Sequence, residues 1–146
     1  MSSLIQRSNR QDYPYHMKIA TRWGDNDMLG HLNNVVYYRF FEAIVVKFMT
    51  EEFGLEWNDG RQNAQAVESL CRFHKALSFP DEITAGLRVG RIGTTSITFE
   101  LALFAPSEEQ AAATGHVVEV LVDVTTGKST PIDEARRAIL GKYELP

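Results

Sequence analysis

The sequence has very little cysteine and no long apolar run, and each absence excludes a class of protein. Cys71 is the single cysteine, so no disulfide can form within the chain. The first ten residues lack the apolar stretch of a secretory signal. The most apolar segment, residues 35–49, is interrupted by Arg39, Glu42 and Lys47, which argues against a membrane span. We therefore expect a cytoplasmic protein without a membrane partner.

An excess of positive charge is also missing. The 146 residues carry a formal net charge of −4 and give a pI of about 5.5, whereas nucleic-acid-binding proteins use a basic surface to neutralise phosphates. The histidines, at positions 16, 31, 74 and 116, are scattered and lack the spacing of metal ligands. The sequence contains neither a Gly-rich phosphate loop nor the serine motif G-x-S-x-G. We predict no metal site and no nucleic-acid partner, and we expect a small-molecule ligand.

Apolar residues are plentiful, at 44% of the sequence, which is enough for a buried core without metals or disulfides. No internal repeat, low-complexity tract or linker divides the chain. We predict a single domain over residues 1–146.

Apolar and polar residues alternate over five segments, which predicts five β-strands. The segments are residues 15–23, 66–77, 83–92, 96–104 and 114–124. In the last segment the apolar side chains that share one face are Val118, Val120, Val122 and Val124. Short connections join the last four strands, so we expect them to pair as antiparallel neighbours.

Residues 35–53 show a different period, with apolar side chains three and four positions apart, which predicts a long helix. Asn33 or Asn34 can cap its start, and Gly54 can end it. Its wide apolar stripe favours an α+β fold in which a five-stranded antiparallel sheet wraps around the helix. Residues 131–140 predict a short second helix started by proline. The exposed edges of such a sheet favour a homodimer or homotetramer.

The densest polar cluster, TRWGDNDMLGHLNNVVYYRFFE over residues 21–42, joins the first strand to the helix. An isolated pair such as Asp25 and Asp27 most often caps turns. A carboxylate beside a helix start, however, faces N–H groups that can also polarise a carbonyl and hold an oxyanion.

This cluster resembles the signature of the 4-hydroxybenzoyl-CoA thioesterase-like branch of the hotdog superfamily. The similarity continues through CRFHKALSFPDEITAGLRVGRIGTTSITFELALF, residues 71–104, and through TTGKSTPID, so it covers nearly the whole chain. The resemblance implies a hotdog fold and an acyl-CoA thioesterase, which hydrolyses an acyl thioester to the free acid and coenzyme A. It implies no cofactor, since coenzyme A is part of the substrate.

The resemblance also implies roles for residues of this chain. Asp27 falls on the catalytic carboxylate, which acts as a general base on water or as a direct nucleophile. Asn34 falls on a position that places substrate or water, and His31 is predicted to assist. Tyr37 and Phe41 are in register with the aromatic helix residues and are predicted to contact the acyl group. Where relatives usually have Asn, this sequence has Val36.

The phosphates of coenzyme A need cationic partners. Arg91 is the first candidate, followed by Arg72, Lys75 and Arg88. Glu42 is interpreted as structural, and the role of Glu68 is left open.

Two other functions remain alternatives. One is hydrolysis of acyl groups carried by acyl carrier protein, and the other is a non-catalytic acyl-CoA-binding module. Retention of Asp27 favours chemistry over binding alone, and the acidic net charge weighs against docking of a carrier protein.

Overall fold

The core of the protein is one antiparallel sheet, seen in a computed structural model that describes residues 8–57 and 60–145. Its strands are β1 (Tyr15–Ala20), β2 (Gln62–Phe73), β3 (Glu82–Ile92), β4 (Ser96–Phe104) and β5 (Ala113–Asp123). They lie in the order β1-β3-β4-β5-β2, and each neighbouring pair is antiparallel. Residues 1–7, 58–59 and 146 lie outside the described part. The prediction that the first ten residues lack a secretory signal therefore falls mostly on residues that the structure does not describe.

Helix α1 (Asn34–Glu51) packs across this sheet. Asn33 caps it, because the Asn33 Oδ1 atom accepts a hydrogen bond from the Val35 N–H at 3.0 Å. Gly54, with a φ of +77°, follows the last turn. The face toward the sheet consists of buried apolar side chains: Val36, Tyr37, Phe40, Phe41, Ile44, Val45, Phe48 and Met49. A five-stranded antiparallel sheet around a long helix is the hotdog fold, so the predicted fold is confirmed.

The sheet approaches the helix most closely at Gly115 of β5. This residue pairs with Leu101 on one side and Cys71 on the other. A side-chain carbon at position 115 would collide with the Leu70 carbonyl oxygen and lie 2.8 Å from Phe41 Cε2. Glycine is therefore required here by space.

The bounds of three elements differ from the predictions by three or more residues. β1 ends at Ala20, and residues 23–25 form a 3₁₀ turn. β2 begins and ends four residues before the predicted segment 66–77, because it is an edge strand whose exposed residues 65–69 leave little burial pattern. The short helix α2 (Glu134–Gly141) is not started by Pro131, because Asp133 caps it through the Arg136 N–H at 2.8 Å.

The predicted valine face of β5 is the one that lies away from α1. The side chains packed toward α1 are those of Val117, Glu119 and Leu121, whereas the even-numbered valines lie on the opposite face. Among the described helices, none combines the length and apolar character needed to cross a membrane.

Candidate active site

Asp27 lies in a tight loop that leads into α1. Its backbone N–H donates to the His31 carbonyl oxygen at 2.8 Å, and its own carbonyl oxygen accepts from the Gly30 N–H at 3.1 Å. Gly30 has a φ of +80°, a conformation that favours glycine. The Asp27 Oδ1 atom accepts from the Leu29 N–H at 2.8 Å. The other carboxylate oxygen makes no hydrogen bond to any described residue, so it is available to a substrate or a water molecule.

Residues 77–79, just before β3, hold this loop in place. The Leu32 N–H donates to the Leu77 carbonyl oxygen at 2.7 Å. The Ser78 hydroxyl donates to the Gly30 carbonyl oxygen at 3.0 Å, and the Phe79 N–H donates to Asn26 Oδ1 at 3.1 Å. The loop is thus fixed to the sheet on both sides of Asp27, which orients its carboxylate before any ligand arrives.

The start of α1 offers a backbone donor in the same loop. The Val35 and Val36 N–H groups bond to the side chain and carbonyl of Asn33. The Asn34 N–H has no hydrogen-bond partner within residues 8–57 and 60–145. Because unpaired N–H groups carry the positive end of the helix dipole, this group can stabilise a developing oxyanion.

Asp25 differs sharply from Asp27, although only one residue separates them. Its side chain is 2% exposed and forms an ion pair with Arg39 at 2.7 Å. It also accepts the Arg22 N–H at 2.9 Å, while the Asp25 carbonyl oxygen accepts the Asn33 N–H at the same distance. Burial alone would raise the pKa of this carboxyl, but its hydrogen bonds and the Arg39 charge outweigh burial and lower it. Asp25 therefore holds the loop against α1 as a buried anion.

The sequence model of the Thioesterase-like superfamily matches residues 21–140 of the chain. The chain belongs to this superfamily. That span includes the whole Asp27 loop, α1 and β2 to β5, so the match covers the site as well as the fold. The protein is accordingly a thioester hydrolase.

Three solved structures are similar to this thioesterase. The PA5185 protein of Pseudomonas aeruginosa strain PAO1 is 37% identical, with a TM-score of 0.90, over 95% of this chain and 97% of that chain. The PA2801 protein of Pseudomonas aeruginosa, provisionally described as a thioesterase, is 28% identical, with a TM-score of 0.78, over 91% of this chain and 98% of that chain. A thioesterase from Thermus thermophilus, solved with coenzyme A and zinc, is 25% identical, with a TM-score of 0.75, over 88% and 98%.

Within the described part of this thioesterase, no group of three or more His, Cys, Asp or Glu side chains could hold a metal ion. The two predicted auxiliary residues are exposed, His31 in the Asp27 loop and Asn34 at the first position of α1. The structure thus brings the three predicted catalytic residues into one loop and helix start. Their roles remain predictions.

The two predicted aromatic contacts of this thioesterase have unlike surroundings. The Tyr37 hydroxyl accepts the Leu77 N–H at 3.1 Å, and the Tyr37 ring packs edge-on against Phe73 at 4.9 Å. Burial is the main cause that raises the pKa of Tyr37, with smaller contributions from Cys71 and from the negative charge of Asp27. Phe41 is fully buried in the core, which gives it no exposed surface for an acyl group.

The two predicted phosphate contacts lie away from Asp27 in the same protomer. Arg91 is nine residues after Glu82, the residue that begins β3, and is therefore roughly 30 Å from the loop end of that strand. Arg72 lines a small cavity with Tyr13 and Glu100 on the sheet face opposite α1. The structure brings neither arginine to the Asp27 loop, and their binding roles remain predictions.

Cys71, a residue of β2, is partly buried and packs against the core. Burial raises the pKa of its thiol to about 12, so the thiolate needed for nucleophilic attack is scarce near neutral pH.

Three features of the site are not evident in the sequence pattern. Arg39 holds Asp25, and Ser78 holds the loop, through contacts between residues far apart in sequence. Glu119 lies on the inner face of β5 beside α1. A polar residue between Val117 and Leu121 was the available signal, but the outer valines gave a more regular pattern.

Proposed function

We propose that this protein is an acyl-CoA thioesterase whose reaction centre lies between Asp27 and the N-terminus of α1. One observation carries the proposal: a carboxylate oxygen of Asp27 and the Asn34 N–H are both without partners in the described structure and lie at one helix entrance. A basic or nucleophilic group and an oxyanion donor are the two groups that thioester hydrolysis requires.

The arrangement supports two routes. In the first, Asp27 accepts a proton from water as the water oxygen attacks the thioester carbonyl carbon. The Asn34 N–H stabilises the resulting oxyanion, the carbon–sulfur bond breaks, and the proton passes from Asp27 to the leaving sulfur. In the second, Asp27 attacks that carbon itself, coenzyme A leaves, and water hydrolyses the resulting anhydride.

The coenzyme A part of the proposal is supported by the Thermus thermophilus relative, which was solved with coenzyme A bound. We propose that a homodimer or a homotetramer is the active form. The edge strand β2 supports association of subunits, because its residues 65–69 are exposed and Val67 is 62% exposed. A second subunit would also be needed to bring Arg91 to an Asp27 loop, since the two are far apart within one chain.

The test is release of free thiol from a panel of short, long and aromatic acyl-CoAs by the wild type and by Asp27→Asn. We expect kcat/KM of the variant to fall by about 10²- to 10⁴-fold on every ester that the wild type cleaves. Asparagine keeps the shape and can still accept from the Leu29 N–H, but it neither takes a proton nor attacks a carbonyl effectively.

Asp81→Asn is the matched control, because Asp81 is on the turn before β3 and its carboxylate makes no hydrogen bond to a described residue. It should retain wild-type activity. An Asp27→Asn variant as active as the wild type would exclude Asp27 from the chemistry. Failure of the folded wild type to cleave any acyl-CoA would instead favour carrier-protein substrates or a binding role.

A further inference from the structure

A groove of about 250 Å³ runs along α1, starting beside the proposed reaction centre. Val35, Tyr38 and Glu42 lie along one stripe of the helix, because they are three and four residues apart. The opposite wall comes from β2 and β5, where Ala66 and Glu119 face the helix. The groove therefore joins the helix start to a pair of carboxyl groups.

Glu119 is unusual among the groups lining this groove. It is 8% exposed, and within the described residues its carboxyl makes no hydrogen bond and no ion pair. Burial, together with the negative charge of Glu42, raises its pKa to about 7. Arg39 is a cation at the same groove, but its guanidinium is 2.7 Å from the Asp25 carboxylate, which already holds it.

Burial disfavours the charged form of Glu119, and a cation in the groove is the group that best offsets this cost. The groove offers further support for a cation. Tyr38, whose side chain is 38% exposed, presents an aromatic ring near the carboxyl pair, and aromatic faces attract ammonium groups. Val35 and Ala66 supply apolar walls that suit the alkyl part of a ligand.

The position of the pair indicates which part of a substrate would reach it. Glu42 follows Asn34 by eight residues, or about 12 Å along the helix axis, and helix side chains lean back toward the N-terminus. A thioester carbonyl at the Asn34 N–H would place the distal end of a medium-length acyl group at the two carboxyls. We propose that Glu119 and Glu42 bind a positively charged group at the distal end of the acyl chain, an inference that rests on the proposed function.

Two coenzyme A esters of equal size test this directly. One carries a pentamethylene chain ending in trimethylammonium, and the other carries the same chain ending in tert-butyl, so they differ only in charge. We expect the wild type to prefer the charged ester in kcat/KM by on the order of tenfold or more, because the two carboxyls and the Tyr38 ring attract the ammonium group and not the neutral tert-butyl group. In Glu119→Gln and in Glu42→Gln this preference should fall toward one.

Glu109→Gln is the matched control, because Glu109 is an exposed carboxylate on the turn after β4 and should keep the full preference. Circular dichroism establishes that each variant is folded. Equal or better cleavage of the tert-butyl ester by the wild type, or an undiminished preference in Glu119→Gln, would overturn the inference and leave the thioesterase proposal standing.

Non-hydrolysable thioether analogues of the same two esters give a readout without turnover. Calorimetry should show tighter binding of the charged analogue to the wild type than to Glu119→Gln. If no ester were cleaved, the proposed activity would fail, whereas this binding ratio would still support or overturn the charged subsite. If Glu119→Gln altered neither the kcat/KM preference for the charged ester nor the affinity preference for the charged analogue, the groove would not be a cation-binding site.

Discussion

At the scale of single residues, Asp25 and Asp27 show how neighbouring carboxylates acquire different tasks. Asp25 is buried and satisfied by Arg39 and by the Arg22 N–H, so its charge is used in holding the loop. Asp27 is only partly buried, and one of its oxygens is without a partner in the described structure. Stability and reactivity are thus divided between two positions of one short motif.

This division predicts that Asp25→Asn destabilises the protein, whereas Asp27→Asn affects stability much less. Loss of the charge on Asp25 weakens its contacts with Arg39 and the Arg22 N–H, at a cost of about 1–3 kcal/mol. Urea unfolding at pH 7 measures the free energy of unfolding of both variants and the wild type. Equal stability of Asp25→Asn and the wild type would show that the ion pair contributes nothing.

The stability contributed by Asp25 should also depend on pH. Its pKa in the folded protein lies below the ordinary value of 3.8, so the carboxylate stabilises the fold above that value. The contribution is lost as pH falls through the lowered pKa. The difference in unfolding free energy between the wild type and Asp25→Asn should therefore be constant near neutral pH and shrink below about pH 4. A difference that grows on acidification would contradict this assignment.

At the scale of elements, the cap of α1 controls where its free N–H group lies. Asn33→Ala removes the hydrogen bond to the Val35 N–H, and we expect a loss of about 1 kcal/mol of stability together with reduced kcat. Asn34→Ala is the comparison, because it keeps the backbone N–H and removes only an exposed side chain. Thermal unfolding and thiol release measure both effects. If Asn34→Ala lowered kcat more than Asn33→Ala, the side chain of Asn34 would be the important group.

The elements differ in how well the sequence predicts them. β4 lies inside the sheet, and its alternation Ile97, Phe99, Leu101 gave its bounds correctly because both neighbours enforce burial. β2 lies at an edge, where exposed residues leave little pattern, so its bounds were wrong by four residues at each end. Leu77 misled the prediction, since it is buried by a contact with Tyr37 rather than by a strand.

The candidate site is likewise only partly predictable from local pattern. Resemblance to a known family indicated Asp27 and Asn34, which lie in one continuous loop and helix start. Local pattern could not indicate the Glu119 and Glu42 pair, because the two residues are 77 positions apart and only the folded sheet brings β5 beside the helix. Long-range pairs of this kind become visible only once strand register is known.

At the scale of the whole molecule, the sheet leaves its β2 edge open. The edge pairs with β5 on one side only, and a register shift between Ala66 and Glu68 sets Val67 outside the regular pairing. Val67 is 62% exposed, and Phe73 at the end of the same strand is 45% exposed. Apolar side chains on an unpaired edge favour association with a second copy of the chain.

Association through β2 predicts that Val67→Lys converts the oligomer to smaller species. When two β2 edges pair, the lysine of one subunit would be buried close to the same lysine of the other, and the two positive charges would repel. Sedimentation velocity measures the change in mass, and activity should fall with it if the second subunit completes the substrate site. Val124→Lys is the matched control, since Val124 is similarly exposed, at 53%, but lies beyond the end of β5. A Val67→Lys protein of unchanged mass would place the interface elsewhere, whereas a fully active monomer would show that one chain contains the complete reaction centre.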